Sequence, residues 1–356
     1  MSSRRRLLLA AIFAALGGGS AAAIATPFLC DDRRNGDKVP AFLRGVAPFP
    51  HGQILALDLA VARTMAAEAV RDAHRTVAAV DGGPVSVWLA LGAGLLREPV
   101  VRPRHLKLMP SFLGDLQDPE LSHGDLLVQI TGTSAHQVAK NTQDLLGALP
   151  QFRVRWRVHG VRPENREEHG RGLARNPFGF TEGYGNPADY DSMAGRALVR
   201  PDQGEPTWAV GGSYQVVRII KFADELWRQD SPREQERIIG RGRDGRWLDG
   251  TPNSERLDFA PDPHGRITPL DSHVRRAAPD RRHPPPLVRR SYNYDRGDGD
   301  RGLIFSCFQR DLAAGFEAVQ KRLQGEAMAK YILTVGGGYF FVPPPGDVWL
   351  NVLFPV

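Results

Sequence analysis

The sequence predicts an α+β fold made of two ferredoxin-like domains with antiparallel sheets. Strand, helix, two strands, helix and strand follow one another between residues 53 and 162. A similar order recurs between residues 213 and 344. A repeated β-α-β-β-α-β pattern is typical of a duplicated ferredoxin-like fold.

Hydrophobic periodicity gives the elements of the first unit. Its predicted strands cover residues 53–61, 85–94, 125–132 and 154–162. Its predicted helices cover residues 63–80 and 134–149. Ser134 precedes the second helix and has the side chain that an N-cap requires.

The elements of the second unit are predicted from hydrophobic periodicity in the same way. Its predicted strands cover residues 213–222, 288–294, 302–309 and 338–344, and its helical segments cover residues 222–240 and 311–332. Residues 160–206 and 249–286 are instead rich in Gly, Pro and Arg. Long irregular segments in a compact protein are usually functional or disordered, so we expect both to wrap a ligand.

Composition is that of a soluble globular protein, with 42% hydrophobic and 24% charged residues. A length of 356 residues is enough for two ordinary domains or one large one. The net charge of +6 depends partly on three arginines near the N-terminus, without which 43 basic side chains face 40 acidic ones. The charge is therefore weak support for nucleic acid as a partner, and we expect none.

Residues 1–25 predict a secretory signal peptide, followed by a polar leader at residues 26–44. Arginines 4 to 6 precede a short apolar run and an A-x-A ending at Ala25. Two arginines followed by two leucines resemble a twin-arginine signal, which predicts a periplasmic or extracellular protein. The run is short and glycine-rich for a membrane span, and an uncleaved anchor is the alternative.

Cysteine and histidine spacing limits the possible metal sites. Cys30 and Cys307 are the two cysteines, so this chain alone cannot build an iron–sulfur cluster or a zinc ribbon. A disulfide between them is possible in an oxidising compartment but is not indicated. The ten histidines include no H-x-x-x-H pair. A single axial haem ligand stays open, because haem needs one proximal side chain.

Four motifs carry a resemblance to a known family. They are GFTEGYGNP at residues 179–187, SHVRRAAPD at 272–280, VRRSYNY at 288–294 and GLIFSCFQRDL at 302–312. Together they resemble dye-decolourising (DyP-type) haem peroxidases of the exported branch, over residues 45–356. The resemblance implies a dimeric α/β barrel like that of chlorite dismutases. It implies an N-terminal domain at 45–190 with the distal loop, and a C-terminal domain at 191–356 that binds haem b.

The resemblance also implies roles for individual residues. His273 would be the axial ligand of the haem iron, and Arg275 or Arg276 would pair with a propionate. Glu182, followed by Gly183 beside the cofactor, would shuttle the peroxide proton. Arg289 would stabilise charge on the departing oxygen. The neighbouring Arg290 should point to the opposite face of the strand.

Two positions depart from the family pattern. Glu182 stands where the family usually has aspartate, and its extra methylene could misplace the carboxylate at a cost of about 10²-fold in rate. Near the C-terminus, the alignment puts Lys330 where the family has the acid that hydrogen-bonds the proximal histidine. Glu326 is the nearest carboxylate, and it could substitute if the helix register differs.

The function implied is a haem peroxidase that reduces hydrogen peroxide and oxidises phenolic, dye-like or other small reductants through a ferryl haem. The alternative is an exported haem-binding or haem-iron-release protein with weak peroxidase activity. Candidate electron carriers to the surface are Trp208, Tyr292, Tyr294 and Tyr339. A homo-oligomer is possible, and no membrane span is expected after signal cleavage.

Overall fold

The computed structural model describes residues 39–45, 47–96, 101–162, 174–252, 257–280 and 282–355. The predicted signal peptide, most of the predicted leader and Cys30 lie outside the described residues. None of the described helices combines the length and the apolar character that crossing a membrane requires.

Within the described residues, nine strands form one antiparallel sheet that closes on itself. They are β1 (His51–Leu59), β2 (Val85–Gly92), β3 (Leu126–Gly132), β4 (Phe152–Val161), β5 (Ser213–Phe222), β6 (Val288–Arg289), β7 (Tyr292–Asp295), β8 (Arg301–Gln309) and β9 (Ile332–Val342). The strand order is β5-β9-β2-β3-β1-β4-β7-β8-β6, and an additional pairing of β5 with β8 closes the barrel. Closure removes the free edges that an open sheet would expose.

Each half of the barrel has the same internal order. In the first half, β4 lies beside β1, then β3, then β2, while in the second β9 lies beside β5, then β8, then β7. Short pairings join the halves at Leu91↔Phe341 and at Val161↔Asn293. The predicted α+β fold with antiparallel ferredoxin-like sheets is confirmed by this topology.

Eight α-helices lie among the described residues. They are α1 (Ala66–Val80), α2 (Ala135–Ala148), α3 (Tyr190–Ala197), α4 (Asp224–Gln229), α5 (Pro232–Ile239), α6 (His273–Ala277), α7 (Ala318–Leu323) and α8 (Val348–Leu353). Helix α1 buries one face, formed by Ala69, Val70, Ala73 and Val77. Ser134 caps α2 as predicted, because its hydroxyl accepts the backbone N–H of Gln137 at 3.2 Å.

The second half differs from the prediction in three places. The segment predicted as helical over residues 311–332 is helical in two separate parts: a π-helix at Ala313–Glu317 leads into α7, and a 3₁₀ helix occupies Ala327–Tyr331. The last strand begins at Ile332, earlier than predicted. The strand predicted over 288–294 is interrupted between β6 and β7. At the interruption the buried Arg290 donates to the carbonyls of Arg44 and Gly45.

Candidate active site

His273 is the first residue of α6, and its ring is held by a buried carboxylate. Its Nδ1 lies 2.6 Å from Oε2 of Glu326, so the ring N–H donates to the carboxylate. The Glu326 side chain is 4% exposed, whereas that of His273 is 34% exposed. Among the described residues Nε2 has no hydrogen-bond partner. One ring nitrogen is thus fixed and the other faces open space.

The chain packs closely against α6. Gly240, which follows α5, has φ of +89°, and a Cβ there would lie 2.6 Å from Cγ2 of Val274. Only glycine fits this contact without displacement. The ring of His273 is therefore positioned by the packing of Val274 as well as by Glu326.

The electrostatics of His273 are set mainly by two opposing effects. Burial lowers the pKa of His273, but the adjacent Glu326 carboxylate more than offsets it, and the pKa is raised. Arg289 lowers and Glu182 raises the same pKa, so both of those side chains lie within electrostatic range of the ring. The carboxylate partner is the usual means of making a histidine a stronger metal ligand.

The alignment of Lys330 with the proximal acid is wrong. Lys330 is 58% exposed in its side chain and lies 4.0 Å from Asp230 and over the ring of Tyr331. The chain turns at Gly325, and Glu326 starts the 3₁₀ turn there. That turn brings Glu326 to His273, so the acid is present four residues before the aligned position.

Glu182 lies in a tight loop that follows residue 174. Its backbone N–H donates to the carbonyl of Ala174 at 2.7 Å, and an antiparallel bridge joins Arg175 and Thr181. Gly183 follows with φ of +99°, a conformation that disfavours other residues. No hydrogen bond from the described residues reaches the Glu182 carboxylate. Burial raises its pKa, although Arg162, Arg289 and His273 each lower it in part.

Arg289, on β6, is fixed against the same loop. Asn186 binds its main chain twice: the amide Nδ2 donates to the Arg289 carbonyl at 2.7 Å, and Oδ1 accepts the Arg289 N–H at 3.0 Å. The guanidinium donates to the carbonyl of Tyr184. Burial lowers the pKa of Arg289, while Glu182 raises it. Arg290 points elsewhere, toward residues 44 and 45.

The structure therefore brings Glu182, Arg289 and His273 into one electrostatically coupled site. A carboxylate with a raised pKa and a guanidinium can together move a proton and stabilise negative charge. The imidazole coupled to them can ligate a metal through Nε2.

The two arginines that follow His273 are held by protein groups. Arg275 is buried, donates to the carbonyls of Asp262 and Thr268 at 2.7 Å and lies 3.2 Å from the Asp262 carboxylate. Arg276 donates to the carbonyls of Arg322 and Gln324. These contacts hold the His273 segment, and pairing with a haem propionate stays a prediction for both.

Two further arginines at the site were missed from the sequence. Arg162, at the end of β4, acts electrostatically on Glu182. Arg241 lies 4.8 Å from the ring of Tyr184 and 3.8 Å from that of Trp247. Burial and the nearby Arg289 lower the pKa of Arg241 to about 10. The sequence feature that could have indicated Arg241 is its position between Gly240 and Gly242, because an arginine flanked by glycines can approach a ligand closely.

The four aromatic candidates for electron transfer are all buried. Their exposed fractions are 6% for Trp208, 1% for Tyr292, 2% for Tyr294 and 3% for Tyr339. None of these four rings therefore offers a large surface to a bulky reductant. Their role in electron transfer stays a prediction.

The residues present fit haem. Nε2 of His273 is available as the axial ligand, and Glu326 accepts a hydrogen bond from the other ring nitrogen, Nδ1. Three side chains of the site are partly exposed although they lie among buried groups, so they border open space. They belong to Glu182, His273 and Arg289. Arg241 and Arg162 supply positive charge of the kind that haem propionates need.

Comparison with known proteins finds two matching family models and similar proteins. The model of the C-terminal part of Dyp-type peroxidases matches residues 173–347, and that of the N-terminal part matches residues 53–162. The chain is 37% identical over 254 residues to the deferrochelatase of Escherichia coli K12. That alignment covers 68% of this chain and 60% of the relative, so the chain spans about three fifths of the curated relatives it matches.

Solved structures are similar over most of the chain. A DyP-type peroxidase from Streptomyces coelicolor has a TM-score of 0.76 at 29% identity, covering 87% of this chain and 94% of that chain. Ferric DtpA from Streptomyces lividans has a TM-score of 0.74 at 30% identity, with the same coverage of both chains.

Proposed function

Because the chain belongs to the DyP-type peroxidase family, we propose that it binds haem b and reduces hydrogen peroxide at the expense of small reductants. Phenols and dyes are the reductant class. The observation that carries the proposal is the electrostatic coupling of Glu182 and Arg289 with His273, whose ring is held by Glu326. This set supplies an axial ligand, a proton carrier and a cation in one site.

On the proximal side, His273 would hold the cofactor through Nε2. The 2.6 Å contact to Glu326 gives the ring the partial negative character that stabilises oxidised iron. When bound, haem would supply a redox-active iron centre for the reduction of peroxide. Arg241 and Arg162 would supply positive charge to the propionates, in addition to the pairing predicted for Arg275 or Arg276.

On the distal side, a carboxylate oxygen of Glu182 would take one proton from hydrogen peroxide. It would return that proton to the departing hydroxide, which leaves as water. The guanidinium of Arg289 would stabilise the negative charge that develops on the departing oxygen. Asn186 keeps Arg289 in place through both hydrogen bonds to its main chain.

The test is the peroxide step of the haem-loaded chain, followed by stopped-flow measurement of the Soret band. Glu182→Ala should slow this step by about 10²–10⁴-fold and Arg289→Leu by about 10²–10³-fold. Arg233→Ala, at an exposed position on α5, is the matched control and should react normally. Equal rates in all four proteins, with equal haem content, would remove the mechanism.

A second function is favoured by the name of the 37%-identical relatives, deferrochelatase. In that case the chain would bind haem and release its iron, with weak peroxidase activity. Incubation of the haem-loaded chain with a reductant and a ferrous chelator separates the two functions. Iron-free porphyrin and chelated iron in equal amounts would support iron release. Intact haem together with rapid peroxide turnover would support the peroxidase.

We also propose export by a twin-arginine-type route to the periplasm or the outside of the cell. The support is the order of residues 1–25: two arginines, a short apolar run and a small-residue ending. Replacing Arg4 and Arg5 together by lysine should retain the full-length chain in the cytoplasmic fraction. Unchanged export of that variant would overturn the proposed route.

A further inference from the structure

A second cavity lies beside the site, at the far end of the strand pair that carries Arg289. It has a volume of about 190 Å³ and is lined in part by Arg200, Asp202, Pro286, Arg310, Asp311 and Ala314. An apolar cavity of roughly 150 Å³ holds benzene. The volume therefore suits one aromatic ring and is too small for a polycyclic dye.

The side chains of the cavity specify the polar groups of its ligand. The guanidinium of Arg310 makes no hydrogen bond or ion pair with any residue that the structure describes. Arginine pairs with carboxylate through two parallel hydrogen bonds. Asp311 already accepts the N–H of Ala314 at 2.9 Å and lies 3.8 Å from His105. Asp202 remains as an acceptor for a hydroxyl group of the ligand.

The cavity is preformed by one glutamine. Oε1 of Gln203 accepts the N–H of Arg200 at 2.7 Å, and its Nε2 donates to the carbonyl of Arg310 at 3.3 Å. The carbonyl of Gln203 in turn accepts a guanidinium N–H of Arg104 at 2.7 Å. Since these contacts tie the two arginine-bearing segments together, little ordering is required when a ligand binds.

The cavity is connected to the peroxide site by covalent and hydrogen-bonded links. Arg289 on β6 pairs with Cys307 on β8. Pro286 and Arg310 each lie three residues beyond that pair, which is about 10 Å along a strand. Arg196 donates to the carbonyls of Gly185 and Pro285 at 3.1 and 3.4 Å, and its own carbonyl accepts the N–H of Arg310 at 3.0 Å.

We propose that this cavity binds a single-ring phenolic carboxylate, with its carboxylate on Arg310 and its hydroxyl directed to Asp202. Its role as a reductant site depends on the proposed peroxidase function, whereas binding itself does not. Oxidation of the bound phenol would release one electron, for which bound haem would supply the acceptor, and one proton to the carboxylate of Asp202. Pro286 and Ala314 supply apolar contact to the ring.

The test uses the haem-loaded chain with 4-hydroxybenzoate and no peroxide, so that binding is measured without turnover. Titration calorimetry should show a dissociation constant at least about tenfold higher for Arg310→Ala than for the parent chain. Arg233→Ala is the matched control and should bind like the parent. The neutral analogue 4-methylphenol should also bind at least about tenfold more weakly to the parent, because it lacks the carboxylate.

The Soret band reports whether the ligand enters the haem pocket instead. Binding at the cavity should leave the band unshifted, and a ligand-induced shift that persists in Arg310→Ala would overturn the proposal. Unchanged affinity of Arg310→Ala, or equal affinity for 4-methylphenol, would also overturn it. If binding follows the prediction but peroxide is not consumed, the cavity site stands and the peroxidase function fails.

Discussion

Nδ1 of His273 lies 2.6 Å from the buried carboxylate of Glu326, across 53 residues of sequence. Such a contact fixes the orientation of an imidazole and makes it a more basic metal ligand. The chain therefore keeps a proximal acid even though Lys330 occupies the position that the alignment assigned to it. The main sequence-based argument against strong peroxide chemistry is removed by this contact.

The first prediction concerns that carboxylate. Glu326→Gln keeps a side chain of similar size but removes the negative charge, so the ferric state of bound haem should be less stabilised. The midpoint potential of the iron should rise, and the peroxide step should slow by about 10–100-fold. Spectroelectrochemistry of the Soret band measures the potential directly.

Lys330→Gln is the matched control for the same experiment. Its side chain is largely exposed, and it should leave the potential and the rate unchanged. A potential that responds to Lys330→Gln and not to Glu326→Gln would show that the proximal partner has been assigned to the wrong residue.

Strands and long helices were predicted well because their apolar residues repeat with a fixed period. The break in residues 311–332 was missed because apolar periodicity continues through Gly325, where the chain turns. The interruption between β6 and β7 depends on Arg290, which binds carbonyls about 245 residues earlier in the sequence. Contacts of that separation have no local signature. Helix α6 is five residues long, too short for a periodic pattern.

The site was predictable as a set of motifs but not as a geometry. Resemblance located Glu182, His273 and Arg289, and the structure brings these three together. It aligned Lys330 with the partner of His273 and named Glu326 as the alternative, because the position of Glu326 depends on a turn rather than on helical register. Arg162 carried no chemical signal of its own, since an isolated arginine is most often a solvated surface residue, and the signal for Arg241 was limited to its two flanking glycines.

The second prediction is a pH dependence of the peroxide step. Burial raises the pKa of Glu182 above its ordinary value of 4.5, and a protonated carboxyl cannot take a proton from peroxide. The rate should therefore fall on the acid side, with an apparent pKa above 4.5. Stopped-flow rates across pH measure it. Glu182→Gln should react slowly, and its rate should no longer fall at low pH. A decrease at low pH that persists in the variant must come from another group.

The third prediction is a change in stability of the haem-free chain. As pH rises above 4.5, Glu182 ionises in the unfolded chain before it does in the folded one, so folding becomes less favourable. Glu182→Gln lacks this effect. The variant should therefore gain stability relative to the parent as pH rises, until the folded carboxyl has ionised too. Urea unfolding at several pH values tests this, and a constant difference would contradict it.

The fourth prediction concerns the positioning of Arg289. Asn186→Ala removes both side-chain hydrogen bonds to the main chain of Arg289, at a cost of about 1–3 kcal/mol in stability. A displaced guanidinium should also slow the peroxide step, by up to about 10²-fold. Haem content should not change. Asn141→Ala on α2 is the control, and a parent-like peroxide rate in Asn186→Ala would show that Arg289 needs no such support.

The fifth prediction concerns a buried ion pair that anchors a surface loop to the barrel. Nη2 of Arg218, on β5, lies 2.5 Å from Oδ1 of Asp115, and their side chains are 5% and 3% exposed. Asp115→Asn leaves the guanidinium buried without its counter-charge, which typically costs about 3–5 kcal/mol. Asp144→Asn breaks an exposed pair with Lys140 and should cost at most about 0.5 kcal/mol. Urea unfolding followed by circular dichroism compares the two, and equal losses would mean that water reaches Arg218 once the loop is released.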